Sequence, residues 1–211
     1  MDKVLSRRTV LKGSALSLGA AIMGFAPLLD AAQKVSASAS NSISNPMNDI
    51  DVLNYALTLE HLEYAFYRDG LKRFTAQNLG VVGTQWEKLY HYVLEIRDHE
   101  KAHVNALTAT IKSLGGTPVP ELKYNFGYTD ARGFAKVAEA LENTGVMAYT
   151  GAAYLIKSDA LLTTAAIIAT VEARHASFLN LLNGDNPFPV AFDTPKKPAE
   201  ILAIAGQFIV S

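Results

Sequence analysis

The chain has 211 residues, of which 49% are hydrophobic and 18% charged, a balance that suits one globular domain with a real core and excludes a disordered chain. With 19 basic against 20 acidic residues and no cysteine, it is a poor match for a nucleic-acid partner. It also excludes a disulfide framework, an iron-sulfur cluster and a thiolate zinc site, so any metal must be held by oxygen and nitrogen donors.

Residues 1–39 read as an export signal. MDKVLSRRTVLKG is basic, Ser14 to Leu29 is apolar and rich in Ala, Gly and Leu, and Ala37-Ser38-Ala39 has the small residues of a cleavage site. The apolar run falls short of the ~20 residues a membrane span needs and is broken by Pro27, which favours cleavage over anchoring and so no membrane association afterwards. Ser6-Arg7-Arg8-Thr9-Val10-Leu11-Lys12 resembles the twin-arginine motif, with Val10 where Phe is more usual. That pathway typically exports folded, often cofactor-loaded proteins, so a periplasmic or extracellular protein carrying a cofactor is expected. Residues 1–39 hold five basic side chains (Lys3, Arg7, Arg8, Lys12, Lys34) and two acidic ones (Asp2, Asp30), which leaves 14 basic against 18 acidic, net −4, in the rest.

Residues 40–50 are small and polar and read as a lead-in. Four helical segments follow. The first is predicted from about Asp49 to Asp69, stopping at Gly70. The second is predicted from Thr84, where Thr-Gln-Trp-Glu87 has the form of a capping box, to Leu114 before Gly115-Gly116. The third runs from near Asp130 to Lys157, and the fourth from just after Ser158 to Asn183-Gly184. No stretch shows strand-like alternation, so the expected class is all-α. A link of a residue or two makes the third and fourth helices antiparallel. The segment GGTPVPELKYNFGYTD cannot be helical, yet its ~15 residues can span about 50 Å, enough to return along a ~45 Å helix of about 30 residues. A four-helix bundle over 40–184, with one long crossover between its second and third helices, is the expected architecture. Residues 185–211 are expected to form a Pro-rich wrap and a short helix, from Ala199 to Val210, packed on its outside.

Alternating three- and four-residue steps trace the core seam of each helix. The second helix gives Trp86, Leu89, Val93, Ile96, Glu100, His103, Leu107 and Leu114. The fourth gives Leu161, Ala165, Ile168, Glu172, His175, Leu179 and Leu182. The first gives Leu53, Leu57, Glu60, Tyr64, Tyr67 and Leu71, and the third Ala135, Ala138, Glu142, Val146, Tyr149, Ala153 and Ile156. Two seams therefore carry a central Glu-x-x-His and two a central Glu alone. Ten Glu and five His would give about 0.2 such motifs by chance, so two on seams are informative. Four carboxylates at one level of a core are unstable without compensation. Two divalent cations would balance them, and each Glu-x-x-His pair can converge on one centre because residues three apart differ by about 60° around the axis.

These residues, from Leu53-Asn54 and Glu60 with Tyr67, through Glu100-Lys-Ala-His103 and Glu142 with Tyr149, to Glu172-Ala-Arg-His175, resemble the ferritin-like di-metal carboxylate superfamily, with bacterioferritin-like spacing. The tail Phe188-Pro-Val-Ala-Phe-Asp-Thr-Pro195 and the closing Phe208-Ile209 are similar to exported ferritin-like proteins of the desiccation-related type. The resemblance implies that Glu60, Glu100, His103, Glu142, Glu172 and His175 ligate two iron or manganese ions, with Glu100 and Glu172 as candidate bridges. Glu63 lies on an adjacent apolar stripe (Val52, Ala56, Leu59, Glu63, Phe66) and could replace Glu60, which is preferred, or add a seventh ligand. The 70–83 connection is longer than a bacterioferritin-like hairpin needs, which argues against cage assembly and iron storage.

The expected activity is oxygen, peroxide or ferrous-iron redox chemistry, with ferroxidase- and manganese-catalase-like reactions both compatible, as is a homo-oligomer. The competing readings are a non-catalytic stress or desiccation protein with structural metals, and a metal-free bundle with protonated seam carboxylates. His61, His91 and His99 fall off the seams and read as surface residues, as do Glu95 and Asp98. Glu139 is left open between exposure and support of Glu142. Tyr64, Tyr67 and Tyr149 are either packing residues or hydrogen-bond donors to the carboxylates.

Overall fold

The computed structural model describes residues 47–75 and 86–210, with side chains described from residue 90 in the second stretch. The export signal, most of the 70–83 connection, the capping box at Thr84 and the side chains of Trp86 and Leu89 lie outside the described residues.

Helices α1 (Asp49–Arg73), α2 (Trp86–Ser113), α3 (Ala131–Ala152) and α4 (Asp159–Leu182) form the bundle, and a short α5 (Pro198–Gly206) follows. The pair α1–α2 packs along the pair α3–α4, with α1 also against α3 and α5 docked on α3 and α1. Polar side chains cap three of the helix starts. Asn48 and Asp51 exchange backbone-to-side-chain bonds of 3.0 Å in a reciprocal cap on α1. Asp130 caps α3 through Gly133 N at 2.7 Å, and Ser158 caps α4.

Four expectations are corrected. The tail helix stops at Gly206 instead of running to Val210, since Ile209–Val210 form a short strand. Helix α1 does not stop at Gly70 but continues to Arg73, because Gly70 makes room rather than a turn: a Cβ there would lie 2.2 Å from the Phe134 ring. Helix α3 ends at Ala152 and gives way to a 3-10 turn, Ala153–Leu155, instead of running to Lys157. Leu114 is not a seam residue, being 46% exposed, whereas Ile111 is fully buried; one four-residue step from Leu107 reaches position 111. The all-α class holds with one small addition, two antiparallel two-residue strands pairing Lys123 with Val210 and Tyr124 with Ile209.

The long crossover lies along α1 and is held there by side chains. Asn54 donates to Thr117 O at 3.1 Å and accepts from Val119 N at 2.9 Å, and Arg68 forks onto Glu121 with two 3.0 Å bonds. The C-terminal wrap crosses α3 at Gly151, where Lys196 N donates to Met147 O at 3.2 Å. A Cβ on Gly151 would sit 1.8 Å from Lys196 O, so only glycine permits this crossing.

Two apolar cores result. One is aromatic, with Phe66 stacked on Phe134 at 4.6 Å and met edge-on by Tyr67, Phe126 and Tyr128. The other holds Leu53, Ala56, Leu57, Leu107, Ile111 and Ile168 around Tyr149. Among the described residues no helix is long and apolar enough to cross a membrane.

Candidate metal centre

Six polar side chains interrupt the apolar seams of the four helices. Glu60, Glu100, Glu142 and Glu172 are 0% exposed, and His103 and His175 are buried with them. Ligand atoms of Glu60, Glu100, His103 and Glu172 lie within 4.8 Å of one another, and those of Glu100, Glu142, Glu172 and His175 do likewise. Glu100 and Glu172 belong to both groups. Each imidazole turns Nδ1 inward. His103 Nδ1 is 3.2 Å from Glu60, 3.3 Å from Glu100 and 3.1 Å from Glu172. His175 Nδ1 is 3.0 Å from Glu100 and 3.1 Å from Glu142.

The hydrogen bonds leave a specific deficit. Glu60 and Glu142 are each held by a tyrosine, Tyr149 to Glu60 Oε1 and Tyr67 to Glu142 Oε1 at 2.6 Å. These tyrosines sit seven residues after the Glu of their own helix and bond the Glu of the other. Both Glu172 oxygens and Glu100 Oε1 are buried without a well-formed hydrogen bond: Glu172 Oε1 and Glu100 Oε1 meet only an imidazole Nδ1, at 3.1 and 3.0 Å, and Glu172 Oε2 meets no donor. A buried acceptor left unpaired costs about 1–3 kcal/mol, and more if charged. These three oxygens belong to the two carboxylates common to both groups, so the donor set fits divalent metal held by oxygen and nitrogen.

Protonation follows the same logic. Burial first, then the negative charge of Glu142, raises the Glu100 carboxyl to about 7. Burial and the charges of Glu100 and Glu142 hold Glu172 well above the carboxylate range. For His103, burial acts downward, but close contacts with the Glu100, Glu172 and Glu60 carboxylates win and raise it to about 12. His175 is likewise depressed by burial and raised, to about 10, by the Glu142 charge and by close contacts with the Glu100 and Glu142 carboxylates. Without metal, protons supply the positive charge the cluster demands.

Residues 48–185 match the family model described as a ferritin-like domain. The chain belongs to the ferritin-like domain family. It is also 25% identical over 175 residues to Protein rds1 of Schizosaccharomyces pombe (strain 972 / ATCC 24843), an alignment that covers 81% of this chain and 42% of that protein. The chain thus spans well under half the length of that curated relative.

Within this ferritin-like bundle, each residue set aside or left open in the sequence takes a definite place. Glu63 is 3% exposed, so both stripes of α1 are buried, but it stands beside the two four-residue groups rather than within them. It faces Glu172 across Gly145, where a Cβ would lie 3.0 Å from Glu63 Oε1 and 3.1 Å from Glu172 Oε2. Burial and then the charge of Glu172 raise its carboxyl well above the ordinary range.

His99 is exposed, as expected of a surface residue, but its ring also reaches the cluster. Its Nδ1 lies 3.0 Å from His175 Nε2, and the two rings stack at 5.2 Å and 9°. His61 is half-buried and lies 3.2 Å from Val119 O, fastening the crossover. His91, Glu95 and Asp98 are exposed, and Glu139 pairs with Lys136 at 3.1 Å. Tyr64 lies under the Arg68 guanidinium at 5.5 Å, away from the cluster. The contact of His99 was hidden because position 99 is one step, ~100°, off the seam, and only the placement of α4 decides what that stripe meets.

Proposed function

We propose that this ferritin-like protein binds two iron or manganese ions and uses them in redox chemistry with dioxygen, peroxide or ferrous iron. The observation that carries this reading is the set of three buried oxygens on Glu100 and Glu172 that lack a well-formed hydrogen bond, two facing only an imidazole Nδ1 and Glu172 Oε2 facing no donor. Glu60 and His103 would hold one ion, Glu142 and His175 the other, and Glu100 and Glu172 would join both. Such a pair, when bound, supplies two one-electron changes at one place.

The protein's own groups supply position and exclusion of water. Tyr149 and Tyr67 fix Glu60 and Glu142 by hydrogen bonds. The His175 ring is oriented by the Nε2 contact to His99, the outer partner that ligating histidines usually have. The two apolar cores seal the cluster at either end. Ferrous iron as substrate would be oxidised by the balanced reaction of two Fe²⁺, O₂ and two protons to two Fe³⁺ and H₂O₂. Peroxide as substrate would give O₂ and two waters from two H₂O₂. The twin-arginine-like run Ser6–Lys12 supports action outside the cytoplasm.

The test is to reconstitute the full chain anaerobically with Fe²⁺ or Mn²⁺, count metal by elemental analysis, and then measure ferrous oxidation and peroxide disproportionation. Two ions per chain with either turnover is expected; a chain that takes up no metal overturns the reading. A second reading, that the ions are purely structural, is favoured by the way mutually repelling carboxylates from all four helices meet at one level. It predicts two bound ions, a large fall in melting temperature on chelation, and neither turnover.

A further inference from the structure

Beyond the metal cluster, the bundle is not closed where α2 and α4 face each other. A cleft of ≈ 30 Å³ opens between Ala106 and Thr110 on α2 and Thr164 and Ala165 on α4, and its floor includes Tyr55 and Tyr149. Tyr149 is the connecting piece: its ring lines this cleft and its hydroxyl bonds Glu60 of the cluster. One side chain therefore separates the cleft from the candidate metal ligands.

What the cleft can hold follows from its walls and size. Thr110 and Thr164 have their hydroxyls bonded to the carbonyls of Ala106 and Ala160 in their own helices, at 2.8 and 3.1 Å. Tyr149 is committed to Glu60, and the Tyr55 hydroxyl, though without a partner, is itself buried, so the wall offers a guest almost no polar group. A buried water needs roughly two to four polar partners, so the cleft disfavours water and polar solutes. At ≈ 30 Å³ it is far smaller than the about 150 Å³ apolar cavity that accepts benzene. An organic substrate does not fit, whereas a diatomic apolar gas does.

We propose that the α2–α4 cleft is a dioxygen-binding antechamber that delivers O₂ to the Tyr149–Glu60 side of the cluster. The delivery role rests on the di-metal reading above; the gas site does not. Its consequence is oxidant choice: dioxygen enters through the apolar wall, and peroxide, which must keep its hydrogen bonds, does not.

Xenon, an apolar probe of the site, is applied under pressure to the metal-free full chain, and perturbed resonances are mapped by NMR. Shifts at Leu107, Ile168 and Ala165 are expected, and their absence overturns the proposal whether or not the protein binds metal. Ala165→Leu and Ala106→Leu fill the cleft from opposite walls, with folding checked by circular dichroism and metal uptake by elemental analysis. Each variant that folds should lose the xenon shifts. After iron loading, each should oxidise ferrous ion more slowly with O₂ while keeping its rate with anaerobic H₂O₂. Equal slowing with both oxidants, or no slowing with O₂, overturns the delivery role. Failure of the wild-type chain to take up metal would instead count against the di-metal reading and leave the xenon result to decide the cleft.

Discussion

Glu172 concentrates the chemistry of the site in one residue, because it is fully buried, its Oε2 meets no donor and its Oε1 meets only His103 Nδ1, at 3.1 Å. Replacing Glu100 by Ala or His175 by Ala should remove most bound metal by elemental analysis, while His91→Ala, on an exposed turn of α2, should leave it unchanged; equal metal in all three variants would refute the site. Tyr149→Phe deletes one hydrogen bond to Glu60 and little volume. Outer partners of this kind typically contribute about 10–100-fold in metal affinity, so calorimetric titration of the variant should show a loss of that order with the helical content intact. Gly145→Ala separates two effects of opposite sign. Helix propensity favours Ala by about 1 kcal/mol, but the new Cβ would press on Glu63 and Glu172. The expected outcome is weaker metal binding without a lower melting temperature for the metal-free chain.

At the scale of elements, the placement of the four seams rests on glycines whose role differs from what their local sequence suggests. Gly70 reads as a helix stop, yet α1 passes through it because the aromatic ring of Phe134 occupies the space a side chain would need. Gly151 reads as an interior helix residue, yet it is where the C-terminal wrap crosses α3. Overpacking of this kind costs about 1–3 kcal/mol, and both Gly70→Ala and Gly151→Ala should lower the thermal midpoint. Gly151→Ala alone should expose the C-terminal wrap to limited proteolysis. The helix bodies and the Glu-x-x-His pairs were legible because they depend on residues within one or two turns of each other. The Gly70 and Gly151 contacts, the His99–His175 stack and the two-strand pairing of Lys123 and Tyr124 with the tail were not, since each joins segments far apart in sequence.

For the whole molecule, the metal-free bundle and the metal-loaded one should respond to pH in opposite directions. In the unfolded chain a Glu ionises near 4.5, but in the fold Glu100 does so at about 7 and Glu172 well above its ordinary range. The folded state thus holds more protons across that window, and stability falls as pH rises through it. His103 and His175, raised to about 12 and about 10 from 6.5, extend the decline upward, their stabilising effect being complete only below 6.5. The metal-free chain should therefore melt at a higher temperature at pH 5 than at pH 8. Metal reverses the trend, because ligands must shed protons to bind it, and excess Mn²⁺ should raise the melting temperature more at pH 8 than at pH 5. A metal-free chain more stable at pH 8 would show that the carboxylates are not gathered as described.

The sequence by itself determined the helical class, the order of the helices and five of the six side chains that meet at mid-bundle, because hydrophobic period and motif spacing are local properties that any packing must respect. It left Glu60 and Glu63 as competitors and His99 as a surface residue. Only the tertiary structure decided these: which stripe of α1 faces α2 and α4, what lies against position 99, and where two helices stand far enough apart to leave a cleft are fixed by how the helices rotate and cross. Those angles are set by side chains packing from distant parts of the chain, with small residues such as Gly145 and Ala165 admitting what larger ones would exclude.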